Sequence, residues 1–310
     1  MACRRGFPLL RKRYVTMSAL SFDAERETKK IEEFISDFVR GRNVSGIVHG
    51  LSGGVDSAVV ALLVQRALGT DRQFVLLLPE RDSSESGVTD AKAMCERFGI
   101  EYKLLNITQP LEHLGTYSSA PSKLAKFGGG MRFAVKAFPF LSKKGYISNL
   151  KGSDSRQFRE FIAFYRIKHR MRMVVIYHEA EKRGMAVASC ANRTEFEVGF
   201  FVKYGDDSGD IAPIKHLYKT QVFALARYLG VPREIIEKKP SPDLFAQVAD
   251  EEIMGVGYET VDSILALMAE GLGEDEIAER LSIKSSEVRF VSEMKIESEE
   301  LRTPPASLLG

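Results

Sequence analysis

A short segment rich in glycine and serine carries the strongest chemical signal in the sequence. It covers residues 51–57 and reads LSGGVDS. Two adjacent glycines let the backbone approach an anion closely, and successive N–H groups in such a turn form an anion-binding nest. A helix that follows the turn adds the positive end of its dipole, and two serine hydroxyls add donors. The residues of this predicted phosphate-binding loop are Leu51, Ser52, Gly53, Gly54, Val55, Asp56 and Ser57.

Asp56 is the only acidic residue of this loop. A carboxylate among phosphate donors would by itself repel the phosphates. It becomes favourable when it is a ligand of a magnesium ion that also binds the phosphates. The sequence therefore predicts that Asp56 binds Mg²⁺.

Three other loop types compete with this interpretation. No GxxxxGK[ST] sequence occurs, so the loop is not a Walker A motif, and it is not a GxGxxG dinucleotide fingerprint. Residues 50–54 do fit the G-x-S-x-G pattern of a hydrolase nucleophile elbow. Such a hydrolase needs a histidine late in the chain, whereas the last histidine here is His216. A serine hydrolase that uses Ser52 and a purely structural glycine turn stay open as alternatives.

The SGGxDS pattern resembles the loop of the PP-loop ATP pyrophosphatases. This superfamily splits ATP into AMP and pyrophosphate and activates a carboxylate or a nucleobase carbonyl as an adenylate. Ammonia or sulfur then attacks the adenylate. The resemblance implies ATP as a co-substrate but does not identify the acceptor.

A second polar segment, residues 189–214, combines a strand end, paired aromatic residues and a turn rich in glycine and acids. Alone, it could be a solvated loop around a few core aromatic residues. Glu195 follows a predicted strand, and ligands of open α/β sheets bind at the carboxyl ends of the strands. Glu195 is therefore the expected second magnesium ligand beside Asp56.

Three blocks, KYGDDSGDIAPI, LYKTQV and KPSPDL, resemble sequences of the NAD⁺ synthetase family. The resemblance to this family extends over roughly residues 25–110 and 160–270. The resemblance implies a ligase of NAD biosynthesis. In this reaction ATP adenylylates the nicotinate carboxylate of deamido-NAD and releases pyrophosphate, and ammonia then displaces AMP to give NAD⁺. It also implies a homodimer whose interface helps to form the dinucleotide site.

The resemblance also assigns roles to individual residues. Asp56 and Lys219 would be catalytic, and Asp56 and Glu195 would hold Mg²⁺. A carboxylate such as Asp210 would stabilise the cationic nitrogen of the nicotinate ring. The positions that match ATP contacts are residues 51–57 with Cys190, Lys219 and Ser241. The positions that match deamido-NAD contacts are Arg170, Lys203 and Asp210.

The chain departs from the family pattern in three places, the first of which is a segment 115–160 that is longer than in the compact members. Ser189-Cys190 replaces a common Gly-Thr, and a thiol is a weaker hydrogen-bond donor than a hydroxyl. Glu299 and Glu300 lie where many members have a His-Lys pair near the C-terminus. These changes leave ATP activation intact and open an alternative acceptor. The runner-up is a PP-loop ligase or sulfur transferase that adenylylates a different carboxylate or carbonyl.

The hydrophobic pattern predicts the elements that position these residues. It indicates strands at 44–51, 74–78, 102–107 and 185–190, with helices at 22–40, 58–68, 86–98, 160–183 and 217–229. Alternating strands and helices are typical of a doubly wound, mostly parallel α/β sheet with helices on both faces, as in the adenine nucleotide alpha hydrolase-like fold. Short helices near 250–254, 258–270, 274–281 and 284–296 predict a helical C-terminal part.

The predicted organisation has three parts. Residues 1–21 form a basic leader, expected to be disordered, with either Met1 or Met17 as the start. Residues 22–272 form the PP-loop domain, in which 115–160 lacks periodicity and is interpreted as an insertion or a lid. Residues 273–310 form a helical tail.

Composition limits the classes of protein to which the chain could belong. The net charge of +2 arises from five basic residues in the first sixteen, so the rest of the chain is slightly acidic and does not indicate a nucleic-acid binder. The sequence contains no run of eighteen apolar residues, so it predicts no membrane span. Three cysteines, distant in sequence and without a CxxC, favour a reducing, cytoplasmic location.

The length bears on the nitrogen donor. The 310 residues are taken up by the synthetase pattern, which leaves no stretch for a fused glutaminase domain. Ammonia is therefore the expected donor, unless a separate glutaminase subunit supplies it.

Overall fold

A parallel β-sheet lies at the centre of the molecule. The structure is a computed structural model, which describes residues 20–118, 143–152, 156–239, 250–305 and 307. Within them, the sheet consists of β1 (Ile47–Gly50), β2 (Gln73–Leu77), β3 (Tyr102–Leu104) and β4 (Ala186–Val187). All neighbouring strands are parallel, in the order β3-β2-β1-β4. This confirms the predicted α/β class.

Helices connect and cover the strands. Those before β4 are α1 (Ala24–Arg42), α2 (Val55–Leu68), α3 (Glu85–Phe98), α4 (Thr108–His113), α5 (Lys143–Lys151) and α6 (Arg156–Arg183). The next are α7 (Arg193–Val198), α8 (Lys219–Leu229), α9 (Arg233–Glu237) and α10 (Asp250–Met254). The last are α11 (Tyr258–Ala269), α12 (Glu274–Leu281), α13 (Ser285–Glu297) and α14 (Glu299–Arg302).

Both faces of the sheet are buried. Successive strand residues point to opposite faces, so Ile47 packs into a cluster with α1, α2, α3 and α8, whereas Val48 packs against α4 and α6. The same alternation holds in β2, where Val75 joins the first cluster and Leu76 the second. Helices on both faces confirm the doubly wound architecture.

The C-terminal helices share a third hydrophobic cluster. Val261 and Ile264 of α11 pack with Ile277 of α12 and with Val288 and Val291 of α13. Residues of α5 and α7 join this cluster. The predicted helices are therefore present, and residues on both sides of position 272 share one core.

Several elements differ from the sequence prediction. Helix α2 begins at Val55 rather than at 58, so the phosphate loop ends inside the first helical turn. The strand predicted at 185–190 is only two residues long, and residues 193–198, expected to be a loop, form α7. Within the segment predicted as irregular, residues 143–151 form α5. The leader up to residue 19 and residues 119–142 lie outside the described residues.

Among the helices of the described residues, none is both long and apolar enough to cross a bilayer.

Candidate active site

A cavity of about 960 Å³ opens at the carboxyl ends of the strands. It is lined by the segments that follow β1, β2 and β4 and by one side of α6. Strand β1 lies between β2 and β4: the chain runs from β1 to β2 and β3 on one side and then returns to β4 on the other. Ligands of doubly wound sheets bind at such a switch point.

The predicted phosphate loop connects β1 to α2 and lines this cavity. Gly53 has a φ of +80°, a backbone conformation that favours glycine. Gly54 caps α2 without a side-chain hydrogen bond, so the first N–H groups of the helix have no partner within it. These groups and the dipole of α2 make an anion site at the floor of the cavity.

The two serines of the loop stabilise its shape. The hydroxyls of Ser52 and Ser57 lie 3.2 Å apart, and the Ser57 hydroxyl donates to the Gly54 carbonyl at 3.0 Å. Ser52 thus bonds to loop atoms rather than to a histidine. His216 lies instead beside Glu27 of α1, with its Nε2 2.9 Å from Glu27 Oε1. The geometry gives no support to a hydrolase that uses Ser52.

Lys219 brings the two predicted metal ligands together. Its Nζ donates to Asp56 Oδ2 at 2.6 Å and to Glu195 Oε1 at 3.0 Å. The lysine side chain is 2% exposed, whereas those of Asp56 and Glu195 are 17% and 16% exposed. Residues 163 positions apart in sequence therefore meet at one point of the cavity.

The electrostatics of this group are dominated by burial. Burial raises the pKa of Glu195, Lys219 opposes this shift, and Asp56 adds to it. Burial alone would lower the pKa of Lys219, but the carboxylates of Asp56, Glu195 and Asp250 outweigh it and raise the pKa above its usual value. The lysine therefore stays charged and available to phosphates.

Asn192 completes the arrangement, although no motif in the sequence marks it as a site residue. Its side chain caps α7 by accepting from Glu195 N at 3.0 Å, and its Nδ2 donates to Asp56 Oδ1 at 2.8 Å. Asn192 and Glu195 form a capping box, whose N-x-x-E spacing was readable in the sequence. Glu195 accordingly lies in the first turn of a helix and not at a strand end.

The donor set suits a magnesium ion. The described residues hold no group of three or more His, Cys, Asp or Glu side chains arranged to bind a metal by themselves. Mg²⁺ in nucleotide sites is usually held by one or two carboxylates and takes its other ligands from phosphates and water. Asp56 and Glu195, next to the anion site of α2, fit this requirement.

Cys190 lines the cavity, and its Sγ lies 3.9 Å from the Gly50 carbonyl. Burial raises the pKa of this thiol, and the charges of Asp56 and Glu195 raise it further. The side chain is therefore a neutral packing group and not an activated nucleophile.

Ser241, the remaining predicted ATP contact, lies outside the described residues.

The three predicted deamido-NAD residues do not line the cavity. Arg170 donates to the carbonyl of Lys203 at 3.2 Å, so these two are adjacent. Lys203 Nζ donates to the carbonyls of Glu300 and Thr303 at 3.0 and 2.6 Å. Asp210 accepts from Val187 N in β4 at 2.8 Å. Their role in binding deamido-NAD stays a prediction.

Other cavity residues carried no recognisable signal in the sequence. His169 and Arg172 reach the cavity from α6, and Asp250 does so from α10. Arg172 Nε donates to the Leu78 carbonyl at 3.2 Å and thereby ties α6 to the end of β2. Burial lowers the pKa of His169 to about 3, so its imidazole is neutral. Only the tertiary fold brings these residues to the loop.

The parallel sheet, its switch point and the SGGVDS loop at the start of α2 define a nucleotide-binding α/β protein of the PP-loop type. The model of the family described as NAD synthase matches residues 27–129 and 144–305. The chain belongs to this family.

Individual relatives agree with the family assignment. The NH₃-dependent NAD⁺ synthetase of Thermotoga maritima is 46% identical over 233 residues, which cover 75% of this chain and 83% of that protein. The one from Coprothermobacter proteolyticus is 37% identical over 88% of this chain and 96% of its own length. A solved structure of NMN synthetase from Francisella tularensis has a TM-score of 0.70 at 25% identity, over 93% of this chain and 99% of that one.

Proposed function

We propose that the protein is a ligase that converts deamido-NAD, ATP and ammonia into NAD⁺, AMP and pyrophosphate. The observation that carries this proposal is the meeting of Asp56, Glu195 and Lys219 beside the uncapped start of α2. The proposal is supported by membership in the NAD synthase family and by relatives named NH₃-dependent NAD⁺ synthetase.

In the first step the nicotinate carboxylate attacks the α-phosphorus of ATP. A P–O bond to the acyl oxygen forms and the P–O bond to pyrophosphate breaks. The N–H groups at the start of α2 bind the phosphates, and Lys219 stabilises the charge that develops on the leaving pyrophosphate. Asp56 and Glu195 are the residues that would hold a magnesium ion, whose chemistry is to neutralise phosphate charge.

In the second step ammonia attacks the acyl carbon of the adenylate. A C–N bond forms, the C–O bond to AMP breaks, and the nitrogen loses a proton. Ammonia is the proposed donor because the relatives carry it in their names and match this chain over most of their length. The proposal also includes a homodimer and a cytoplasmic location.

One assay tests the function. We expect NAD⁺ and pyrophosphate to form in equal amounts when the protein is incubated with ATP, Mg²⁺, deamido-NAD and ammonium. Folded protein that makes no NAD⁺ would contradict the proposal. Nicotinate mononucleotide is the competing acceptor to include, since a relative of similar fold is named NMN synthetase. If pyrophosphate is released only with nicotinate mononucleotide or another carboxylate, the acceptor differs from deamido-NAD while the adenylylation chemistry stays the same.

Lys203→Ala tests the proposed dinucleotide site. An ammonium that binds a phosphate or carboxylate is worth about 1.5–3 kcal/mol, so its loss should raise the KM for deamido-NAD roughly tenfold or more. The KM for ATP should change far less, because Lys203 does not line the cavity at the phosphate loop. Initial rates measured at saturating levels of the other substrates give both values.

Lys29→Ala is a matched control, since this lysine on α1 is 66% exposed and pairs only with Glu25 among the described residues. It should leave both KM values unchanged. Because Lys203 also holds the carbonyls of Glu300 and Thr303, the thermal midpoint should be recorded for both variants. A KM for ATP that rises more than that for deamido-NAD would mean that the two sites are wrongly assigned.

A further inference from the structure

The two proposed magnesium ligands already hold a cation of the protein itself. The Lys219 ammonium holds Asp56 and Glu195 at 2.6 and 3.0 Å, and these are the proposed magnesium ligands. The second oxygen of each already accepts from Asn192, at 2.8 Å for Asp56 and 3.4 Å for Glu195. A divalent ion next to an ammonium at such distances is strongly repelled. Lys219 therefore needs another acceptor when metal and nucleotide bind.

Asp250 offers an unused acceptor in the same cavity. The residue is 4% exposed, and its Oδ1 is buried without a hydrogen-bond donor from the residues that the structure describes. Its Oδ2 accepts from the Tyr258 hydroxyl at 2.9 Å. A buried carboxylate oxygen without a donor costs free energy. Such an atom indicates a donor that arrives in another state of the protein.

Tyr258 connects Asp250 to Lys219. The Lys219 Nζ lies 5.1 Å from the centre of the Tyr258 ring, and the hydroxyl of the same ring holds Asp250. The lysine ammonium is carried by a flexible four-carbon chain. Rotation about these side-chain bonds would carry the ammonium from Asp56 and Glu195 along the Tyr258 ring towards Asp250.

We propose that Asp250 is a positioning residue that accepts the Lys219 ammonium when a metal–nucleotide complex takes over Asp56 and Glu195. In the free protein Lys219 keeps these two carboxylates from repelling each other. In the loaded protein Asp250 holds the ammonium at the phosphates. The proposal rests on the proposed function, because it takes Asp56 and Glu195 as metal ligands.

Manganese binding tests the proposal without turnover. Mn²⁺ is titrated into the full chain with α,β-methylene-ATP, and the free Mn²⁺ signal is followed by electron paramagnetic resonance. Asp250→Asn should weaken Mn²⁺ binding roughly tenfold. Its thermal midpoint without metal should not fall, since the substitution removes a buried charge with an unpaired oxygen. Unchanged Mn²⁺ affinity in a folded variant would overturn the proposal.

A double-mutant cycle separates positioning from direct coordination. Lys219→Met has no ammonium to relocate, so adding Asp250→Asn to it should not weaken Mn²⁺ binding further. An equal loss in both backgrounds would make Asp250 a metal ligand and overturn the proposal. Should Asp250→Asn not fold, Tyr258→Phe replaces it in the cycle with the opposite sign. It removes the side-chain hydrogen bond of Asp250 and leaves both carboxylate oxygens free for the ammonium, so Mn²⁺ should bind more tightly with Lys219 present and equally with Lys219→Met, and any other result would overturn the proposal.

Glu252→Gln is the matched control, since Glu252 is an exposed carboxylate that also lines the cavity. It should leave the Mn²⁺ affinity unchanged. If Glu252→Gln weakened Mn²⁺ binding as much as Asp250→Asn, any negative charge in the cavity would have the same effect, and the proposal would be overturned. Together with the assay of NAD⁺ formation, the titration separates two failures. Absence of NAD⁺ formation refutes the proposed function, whereas NAD⁺ formation with identical Mn²⁺ affinities refutes only the role of Asp250.

Discussion

Asp56→Asn should lower the rate of pyrophosphate release by roughly a thousandfold, the scale seen when one preorganised electrostatic group is removed. Asp56 lies in the first turn of α2 and touches both Lys219 and Asn192. Asparagine retains the shape but loses the charge that a metal ion requires. Pyrophosphate release in a coupled assay, with deamido-NAD and ammonium saturating, measures the effect.

The same substitution should leave the fold intact. Removing one partner of a buried ion pair costs about 3–5 kcal/mol when the other charge is left unpaired. Lys219 keeps Glu195 as a partner at 3.0 Å, so the loss of unfolding free energy should be smaller. Circular dichroism and denaturant titration check this point.

Asp71→Asn provides the control for the loss of one carboxylate. Asp71 lies in an exposed 3₁₀ turn between α2 and β2, away from the cavity. Its variant should be as active as the unmodified protein. Full turnover by Asp56→Asn would remove Asp56 from the proposed metal site and would leave the phosphate loop without a reason for its acidic residue.

How much the sequence predicts depends on whether the signal is local. The LSGGVDS segment contains its own chemistry, so its position between β1 and a helix was predicted from seven residues. The alternation of apolar strands and amphipathic helices likewise predicted the doubly wound sheet. Both patterns are short-range, and the backbone satisfies them locally.

Asp250 and Tyr258 show where local patterns fail. Within a helical, acidic stretch, Asp250 looks like any solvated carboxylate. In the structure it is 4% exposed and lies at the cavity, because its hydrogen bond to Tyr258 ties it to α11. Helix α11 packs against α7 and α8, the helices of Glu195 and Lys219. The burial of Asp250 depends on contacts between residues distant in sequence, and no periodicity encodes them.

Glu195 is an intermediate case. The sequence singled out a residue that the structure brings to Lys219, but placed it at a strand end instead of in α7. The helix is only six residues long, too short for a hydrophobic period, although its capping box is visible as Asn192 and Glu195. Reading the cap rather than the period would have predicted how this carboxylate is held.

Gly53→Ala should disrupt ATP binding more than any neighbouring change of similar size. Gly53 has a φ of +80°, and a Cβ at this position would lie 2.3 Å from the backbone oxygen of Gly87 in α3. A left-handed backbone costs a non-glycine residue about 1–2 kcal/mol, and backbone atoms cannot move aside as a flexible side chain can. Either the loop or the start of α3 must shift.

This shift should raise the KM for ATP at least tenfold and lower the free energy of unfolding by roughly 2–3 kcal/mol, the upper part of the usual range for single substitutions. Gly54→Ala replaces a glycine without straining the backbone, because the φ of Gly54 is −93°. The nearest neighbour of its Cβ would be the movable Ser52 hydroxyl at 3.3 Å. Gly54→Ala should therefore lower the free energy of unfolding by less than half as much as Gly53→Ala.

Gly41→Ala completes the comparison, since a Cβ there meets nothing within 4 Å on α1. Alanine in place of glycine in the last turn of α1 should raise stability by about 0.5–1 kcal/mol and leave the KM for ATP unchanged. If Gly53→Ala instead matched Gly54→Ala in both KM and stability, close packing of the phosphate loop on α3 would not determine the ATP site. The N–H groups of α2 would then have to position the phosphates without that support.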